Sequence, residues 1–184
     1  MSKLIVNSGS MFGGKTRELQ RLGERHKIAG HNVLYLKPDF DNRYGKEHIS
    51  THDGNKVEAI PVSITDSIFN YITKDTEVVL IDEVQFFNSS IVNEIMELVE
   101  NGVNVYVSGL DMDFQGNAFE ATSELMALAD EVNKFHAVCG KCGSDAIFSA
   151  KTNGNSSSRI EVGEKDKYIP LCRRCYYEFK KGDK

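Results

Sequence analysis

Eight residues near the amino terminus, GSMFGGKT from Gly9 to Thr16, have the types and spacing that bind phosphate groups. They fit the pattern G-x-x-x-x-G-K-[ST], in which flexible glycines allow several backbone N–H groups to face one anion. In this pattern the lysine reaches the β- and γ-phosphates and the hydroxyl residue binds Mg²⁺. We therefore expect Lys15 and Thr16 to have these roles. Positive φ angles are expected at Gly9, Gly13 and Gly14.

A second group of chemically competent residues lies in EVVLIDEVQFF, where the apolar run Val78–Ile81 ends in two carboxylates. Such a run is typical of a buried parallel strand, and ligands bind at the carboxyl edge of parallel sheets. Asp82 is therefore expected to hold Mg²⁺ opposite Thr16. If the strand alternation continues, Glu83 points elsewhere and is available as a general base for an attacking hydroxyl. In an ATPase the same glutamate would polarise water, and the sequence leaves both roles open.

The four cysteines form two CxxC pairs, Cys139 with Cys142 and Cys172 with Cys175. This arrangement predicts a tetrahedral Zn²⁺ site of four thiolates, which leaves no open position for catalysis and is therefore structural. Paired disulfides and a redox CxxC are the alternatives, disfavoured by the expected compartment and by the duplication.

The stretch between the two CxxC pairs contains TNGNSSS from Thr152 to Ser158, which has no apolar periodicity. Its composition predicts a mobile segment, and a zinc-tied base would suit a lid over a ligand. A surface hairpin without function is the alternative.

Alternating strands and helices must position these groups. The predicted strands are Leu4–Val6, Asn32–Lys37, Val78–Ile81 and Val103–Ser108, with β-like pieces at Ala146–Ser149 and Arg159–Val162; the predicted helices are Thr16–Ala29, Thr65–Lys74, Ile91–Glu100 and Glu120–Asp130. Val132–Val138 is expected to enter the zinc lobe. The order predicts an α/β fold of the P-loop NTPase type, with a mainly parallel sheet flanked by helices. We expect a nucleotide-binding domain over residues 1–134 and a zinc-binding lobe over 135–184.

Composition narrows the class. The chain has 184 residues, of which 40% are hydrophobic and 27% charged, typical of a globular protein. No apolar run approaches the ~20 residues of a membrane span, and the amino terminus does not resemble a signal peptide, so we expect a cytoplasmic protein without membrane partners. The net charge of -5 argues against a main function in nucleic-acid binding.

In their joint order, GSMFGGKT, LKPDFDNRY, ISTHDG, LIDEVQFF, GLDMDFQG and the two CxxC pairs resemble the type II, zinc-containing thymidine kinases over nearly the whole chain. The resemblance implies a zinc-ribbon lobe with a lasso-like lid, and a homotetramer. It implies transfer of the ATP γ-phosphate to the 5′-hydroxyl of thymidine, with dTTP as a feedback inhibitor.

The resemblance also implies residue roles. Glu83 matches the catalytic base, Asp41 matches a position near the metal, and Arg43 matches one that would neutralise developing charge. A surface ion pair is the alternative for Asp41 and Arg43. The expected nucleotide-binding residues are Gly9, Ser10, Met11, Phe12, Gly13, Gly14, Lys15, Thr16, Asp82 and Gln85.

For the nucleoside, the resemblance implies an apolar pocket with Phe114 as the ring that stacks on thymine. Ordinary core packing is the alternative for its apolar members. This chain has VGEKDKY where many relatives carry two adjacent glycines. The expected contacts are Met11, Phe86, Leu110, Phe114, Ser149, Val162, Gly163 and Tyr168.

Two other classes fit parts of the pattern. A P-loop NTPase with a structural zinc ribbon would share Lys15, Thr16 and Asp82 but direct Glu83 at water. A zinc-ribbon module that binds nucleic acid would need a basic surface, which the acidic composition disfavours.

Overall fold

The computed structural model describes residues 2–39, 48–50, 56–152 and 167–182. Two 3-10 turns, Ile68–Tyr71 and Val84–Phe86, lie between its regular elements. In chain order these elements are β1 (Leu4–Gly9), α1 (Lys15–Ile28), β2 (Val33–Pro38), β3 (His48–Ser50), β4 (Lys56–Glu58), β5 (Ile60–Val62), β6 (Val78–Ile81), α2 (Ser90–Glu100), β7 (Asn104–Gly109), α3 (Glu120–Leu128), β8 (Glu131–Phe135), β9 (Ala137–Val138), β10 (Asp145–Ala146), β11 (Phe148–Lys151), β12 (Tyr168–Leu171) and α4 (Arg173–Gly182).

Six parallel strands form the main sheet, in the order β5-β2-β6-β7-β1-β8. Strand β7 lies between β1 and β6 and pairs with both. Because all six strands run the same way, the loops that follow β1, β6 and β7 leave from one edge of the sheet. The α/β class predicted from the sequence is confirmed. The residues predicted to bind phosphate and metal lie at this edge.

The sheet is buried on both faces. All four residues of β6 are inaccessible to solvent, and they alternate between two cores. Val79 and Ile81 pack in the core that includes residues of α2 and α3, whereas Val78 and Leu80 pack in the core that includes Leu19 of α1. Period-2 alternation along the strand and helices on opposite sides of the sheet explain why the run is continuously apolar.

A small lobe, residues 137–152 and 167–182, follows the sheet. It consists of two antiparallel strand pairs, β9 with β10 and β11 with β12, and of α4. Its core is a third cluster, in which the rings of Phe148 and Tyr176 stack with centroids 4.2 Å apart. Phe12 and Met112 of the main domain pack against this cluster. The small lobe therefore rests on the loops that leave the sheet edge.

One predicted helix is not formed, and another ends earlier than predicted. The helix predicted over Thr65–Lys74 is only a 3-10 turn, capped by Ser67 and followed by extended backbone at Ile72. The helix predicted to reach Asp130 ends at Leu128, because Ala129 is extended.

The segment predicted to enter the zinc lobe instead begins as strand β8, which pairs with β1. The predicted division between residues 134 and 135 falls within β8.

The short strands β3, β4 and β5 were not predicted. They are three residues each, below the length at which apolar alternation is visible in a sequence. None of the helices formed by the described residues has the length and hydrophobicity that crossing a lipid bilayer requires.

Candidate active site

The loop from Gly9 to Gly14 turns sharply between β1 and α1. Gly9 and Gly14 have φ angles of 134° and 90°, as predicted, whereas the third left-handed residue is Phe12 at 64° rather than Gly13. Gly13 is needed for space, since an added Cβ would lie 3.2 Å from the Ser10 carbonyl oxygen. A Cβ at Gly9 would collide with the Phe135 carbonyl oxygen at the end of β8. The loop is therefore shaped by close backbone approach as much as by φ.

Lys15 and Thr16, the first residues of α1, face the loop and the neighbouring strand end. The Lys15 Nζ donates to the Ser10 carbonyl oxygen at 2.7 Å, so its ammonium lies over the phosphate loop. The Thr16 hydroxyl donates to the Asp82 carboxylate, with distances of 3.1 and 3.4 Å to its two oxygens. The structure brings together the two residues expected to bind Mg²⁺. Hydroxyl and carboxylate oxygens are ligands that Mg²⁺ prefers, so the donor set fits this ion.

Glu83 follows Asp82 but is not part of the strand. The prediction that strand alternation separates the two carboxylates was wrong, because β6 ends at Ile81 and Glu83 adopts φ 53° and ψ 42°. This left-handed conformation is uncommon for a residue with a side chain. The Glu83 N–H donates to the Asp82 carboxylate at 3.0 Å. A backbone turn, rather than the pleat, therefore separates the two acids.

Gln85 was predicted to bind nucleotide, and the structure places its side chain between two parts of this chain. Its Nε2 donates to the Glu83 carboxylate at 2.5 Å, and its Oε1 accepts from the Leu110 N–H at 3.0 Å. The side chain is buried. It joins the segment after β6 to the segment after β7.

The β7–α3 loop, residues 110–119, is held by two buried aspartates. Asp113 accepts from the backbone N–H groups of Gln115 and Asn117, both at 2.9 Å, and so closes a turn. Asp111 forms an ion pair with Lys134 of β8 at 2.8 Å. The loop is consequently attached to the sheet edge beside the phosphate loop.

Phe114 lies in this loop and is half-buried, as a ring that stacks on a base must be partly accessible. Its carbonyl oxygen accepts from the Tyr176 hydroxyl at 2.8 Å, and the Lys151 ammonium lies 5.4 Å from its ring centroid. The small lobe therefore supports this residue on two sides. Of the other predicted apolar contacts, Phe86 is buried and Leu110 is half-buried.

The small lobe also contacts the phosphate loop directly. The Ser149 hydroxyl accepts from the Met11 N–H at 2.9 Å, and the Ser10 hydroxyl donates to the Ala146 carbonyl oxygen at 3.0 Å. Ser149 and Tyr168 lie on the paired strands β11 and β12. The structure thus brings together the predicted residues Met11 and Ser149, and Tyr168 lies opposite Lys151 on the strand that pairs with β11.

The four cysteines converge at one point. Their Sγ atoms all lie within 4.8 Å of one another, and those of Cys142 and Cys172 are 3.6 Å apart. Four thiolates around Zn²⁺ with Zn–S bonds of about 2.3 Å require S–S separations of roughly 3.8 Å, so the cluster fits a zinc site. Hydrogen bonding from Ser144 lowers the pKa of the Cys142 thiol to about 6, whereas burial raises the pKa of Cys175 to about 12.

Four predicted site residues lie outside the described residues. Asp41 and Arg43 were expected near the phosphates, and Val162 and Gly163 were expected in the lid.

Sequence reasoning missed several residues that hold the site. Lys134 and Tyr176 contact the β7–α3 loop from β8 and α4, and nothing in their local sequence indicates a distant partner.

A cavity of about 370 Å³ opens beside Gln85. Of the residues predicted to bind a ligand, only Gln85 lines this cavity, and none of the expected nucleoside contacts does. The lining residues are Gln85, Phe87, Asn88, Ser89, Phe119, Glu120 and Ala121.

The chain is similar to known proteins over most of its length. A family model described as thymidine kinase matches residues 2–176. A thymidine kinase of Bacteroides thetaiotaomicron is 43% identical over 95% of this chain and 86% of that protein, and one of Bacteroides fragilis is 44% identical over the same shares. Among solved structures, AMPPCP-bound DnaA of Aquifex aeolicus matches with a TM-score of 0.45 and 21% identity, over 74% of this chain and 41% of that chain. On the family match and the sequence relatives, this chain belongs to the thymidine kinase family.

Proposed function

We propose that this protein transfers the γ-phosphate of ATP to the 5′-hydroxyl of thymidine. The observation that carries the proposal is the placement of Glu83 beside the Thr16–Asp82 pair, with its carboxylate directed at Gln85 and so toward the β7–α3 loop. A carboxylate between a phosphate site and the β7–α3 loop is suited to act on a nucleophile that enters from the loop side.

The donor end consists of the phosphate loop and the start of α1. Backbone N–H groups at this helix start and the Lys15 ammonium bind the ATP phosphates and stabilise charge on the transferring group. Thr16 and Asp82 would hold Mg²⁺, which would supply positive charge at the phosphate oxygens. Asp41 and Arg43 are proposed to assist near the phosphates, as the family resemblance implies.

At the acceptor end, Glu83 accepts the proton of the 5′-hydroxyl as that oxygen attacks the γ-phosphorus in line. Phe114 stacks on the thymine ring, and Leu110, Phe86 and Met11 complete an apolar surface around it. Ser149 and Tyr168, with the segment containing Val162 and Gly163, contact the base from the small lobe. An apolar enclosure also excludes water, which would otherwise compete as the nucleophile.

Zinc has a structural role in this proposal. Four thiolates fill its coordination shell, and the small lobe that they close supplies contacts to Met11 and Phe114. We further propose, from the family resemblance, a cytoplasmic homotetramer that dTTP inhibits by feedback.

The test is release of ADP from Mg·ATP in a coupled assay, with thymidine, deoxycytidine and adenosine supplied separately. Thymidine is expected to raise the rate far above the rate without nucleoside, with dTMP as the chromatographic product. The Lys15→Met variant, which lacks the phosphate-loop cation, gives the matched background. ADP release that is equal with and without thymidine would instead support the NTPase alternative.

A further inference from the structure

We propose that Gln85 is a positioning residue, which holds the Glu83 carboxylate and fixes its place relative to the β7–α3 loop. The inference rests on the proposed function, because it assigns Glu83 as the base. It differs from a role of Gln85 in binding ATP, since both ends of the side-chain amide already have partners within the chain.

The orientation of this amide is determined by its partners. The backbone N–H of Leu110 can only donate, so the atom that faces it at 3.0 Å is the carbonyl oxygen Oε1. The amino group Nε2 must then face Glu83, where it donates to the carboxylate at 2.5 Å. A carboxylate only accepts, so both contacts agree on one orientation.

The side chain is also packed closely against β7. It is 5% exposed, and a Cβ added at Gly109 would lie 2.8 Å from its Oε1 and 2.8 Å from Cγ1 of Val84. The absence of a side chain at Gly109 is therefore what allows the amide to pack against β7. A buried amide with both ends paired is held in place, because moving it would leave a buried donor or acceptor without a partner.

Glu83 needs such support because it is not part of β6, so strand pairing does not fix the direction of its side chain. It lies beyond the end of β6, in a left-handed conformation at the start of a 3-10 turn, and its side chain is half-buried. A catalytic base must lie within hydrogen-bond reach of its proton, and a misplacement of about 1 Å can cost ~10²-fold in rate. Gln85, two residues after Glu83 in the chain, supplies this constraint through its side chain.

The same amide connects the base to the acceptor side. Leu110, whose N–H it accepts from, is a proposed thymidine contact and precedes the turn closed by Asp113. The distance between base and nucleoside is thus set through one side chain. Loss of the amide should lower kcat with thymidine and leave the KM for ATP unchanged.

The test compares Gln85→Met, which keeps length and apolar volume but forms neither bond, with the unmodified enzyme. We expect kcat with thymidine to fall by roughly 10-fold or more, by misplacement of the base, at unchanged KM for ATP. Gln85→Glu, which is isosteric and keeps the acceptor for Leu110, should show a similar loss because its carboxylate repels that of Glu83. Zinc content and thermal melting establish that each variant is folded.

Gln20→Met is the matched control. Gln20 is also a buried glutamine, 8% exposed, and its Nε2 donates to the Ile49 carbonyl oxygen at 2.9 Å, away from Glu83. This variant should lower the melting temperature but retain kcat. The third arm combines Gln85→Met with Glu83→Gln, where the second substitution should mask the first, because there is no longer a base to position.

The outcomes separate the two proposals. If thymidine does not stimulate the unmodified enzyme, the proposed function fails and the role of Gln85 fails with it. If the unmodified enzyme is active, three results would overturn the role of Gln85 alone. The first two concern folded Gln85→Met: an unchanged kcat, or a change confined to a higher KM for ATP. The third is a loss of kcat in the double variant that equals the sum of the two single losses in free energy.

Discussion

The sheet edge and the small lobe hold parts of the same site by different means. At the sheet edge, Gly9 ends β1 and Asp82 follows β6, two parallel strands whose residues Val6, Leu80 and Ile81 are inaccessible to solvent. In the small lobe, β9 and β10 are only two residues long, and two of the eight buried core residues are cysteines. Backbone pairing and apolar burial position the first region, whereas the second has a small core and a cluster of four cysteines that fits a zinc site.

The two regions meet through a few hydrogen bonds. Ser149 binds the backbone of Met11, Ala146 binds Ser10, and Tyr176 binds the backbone of Phe114. The phosphate loop and the β7–α3 loop are therefore connected to strands of the sheet, but the small lobe supplies some of the hydrogen bonds that hold them. This division predicts that substitutions at the cysteines of the small lobe lower stability and activity together, whereas a substitution at the sheet edge lowers activity alone.

The largest effect is expected where the lobe depends on its metal. Cys142→Ser removes one thiolate, so zinc content should fall, the lobe should unfold at a lower temperature, and kinase activity should be lost. Structural zinc contributes about 10–16 kcal/mol in small zinc domains, so the loss of one ligand should exceed that of any single hydrogen bond. Atomic absorption, thermal melting and the ADP assay measure the three quantities.

Cys142→His is the control for this change, since imidazole also binds zinc and should restore part of the metal content. The main sheet should keep its circular dichroism in both variants. An unchanged zinc stoichiometry in Cys142→Ser would contradict the four-thiolate site.

At the sheet edge, a loss of activity without a loss of stability is expected. Glu83→Gln keeps the size of the side chain but removes the base, so kcat should drop by ~10²-fold or more while ATP binding survives. The melting temperature should change little, because the residue is half-buried and lies outside β6. Glu97→Gln, which neutralises an exposed carboxylate on α2, is the matched control. Near-normal turnover in Glu83→Gln would remove this residue from the role.

The smallest effect is expected where the two regions touch. Tyr176→Phe removes the hydroxyl that binds the Phe114 carbonyl oxygen but keeps the ring stacked on Phe148. We expect a loss of about 1 kcal/mol in the free energy of unfolding, and a few-fold higher KM for thymidine with kcat nearly unchanged. Denaturant unfolding and steady-state kinetics measure both.

Tyr177→Phe, at a neighbouring tyrosine that is 51% exposed, should change neither quantity. If Tyr176→Phe left the KM for thymidine unaltered, the lobe would not act on the acceptor pocket through Phe114.

Much of the sheet and of the phosphate end could be predicted from the sequence. The strands around Val6, Ile81 and Val107 are continuous apolar runs, and the glycine loop with Lys15 and Thr16 is one local pattern. Such features depend on residues close together in the chain, where spacing alone specifies which side chains share a face. The pairing of Thr16 with Asp82 followed because parallel strands end at one edge.

The conformation of single residues could not be predicted in this way. Phe12 rather than Gly13 is left-handed, and Glu83 leaves the strand pattern through a positive φ. Both regions have close neighbours that are distant in the chain: Phe135 approaches Gly13, and Leu110 is connected to Glu83 through the side chain of Gln85.

The sequence by itself therefore determined the α/β class, the phosphate loop, the carboxylates after β6, the four-cysteine cluster and the family. Only the tertiary structure decided how the acids are separated, that Lys134 and Tyr176 hold the β7–α3 loop, and that Gln85 joins base and loop. The physical reason is the distance along the chain over which each kind of feature acts. Motifs act through neighbours along the chain, whereas a hydrogen bond or ion pair between distant segments exists only after the fold has brought its two partners within about 3 Å.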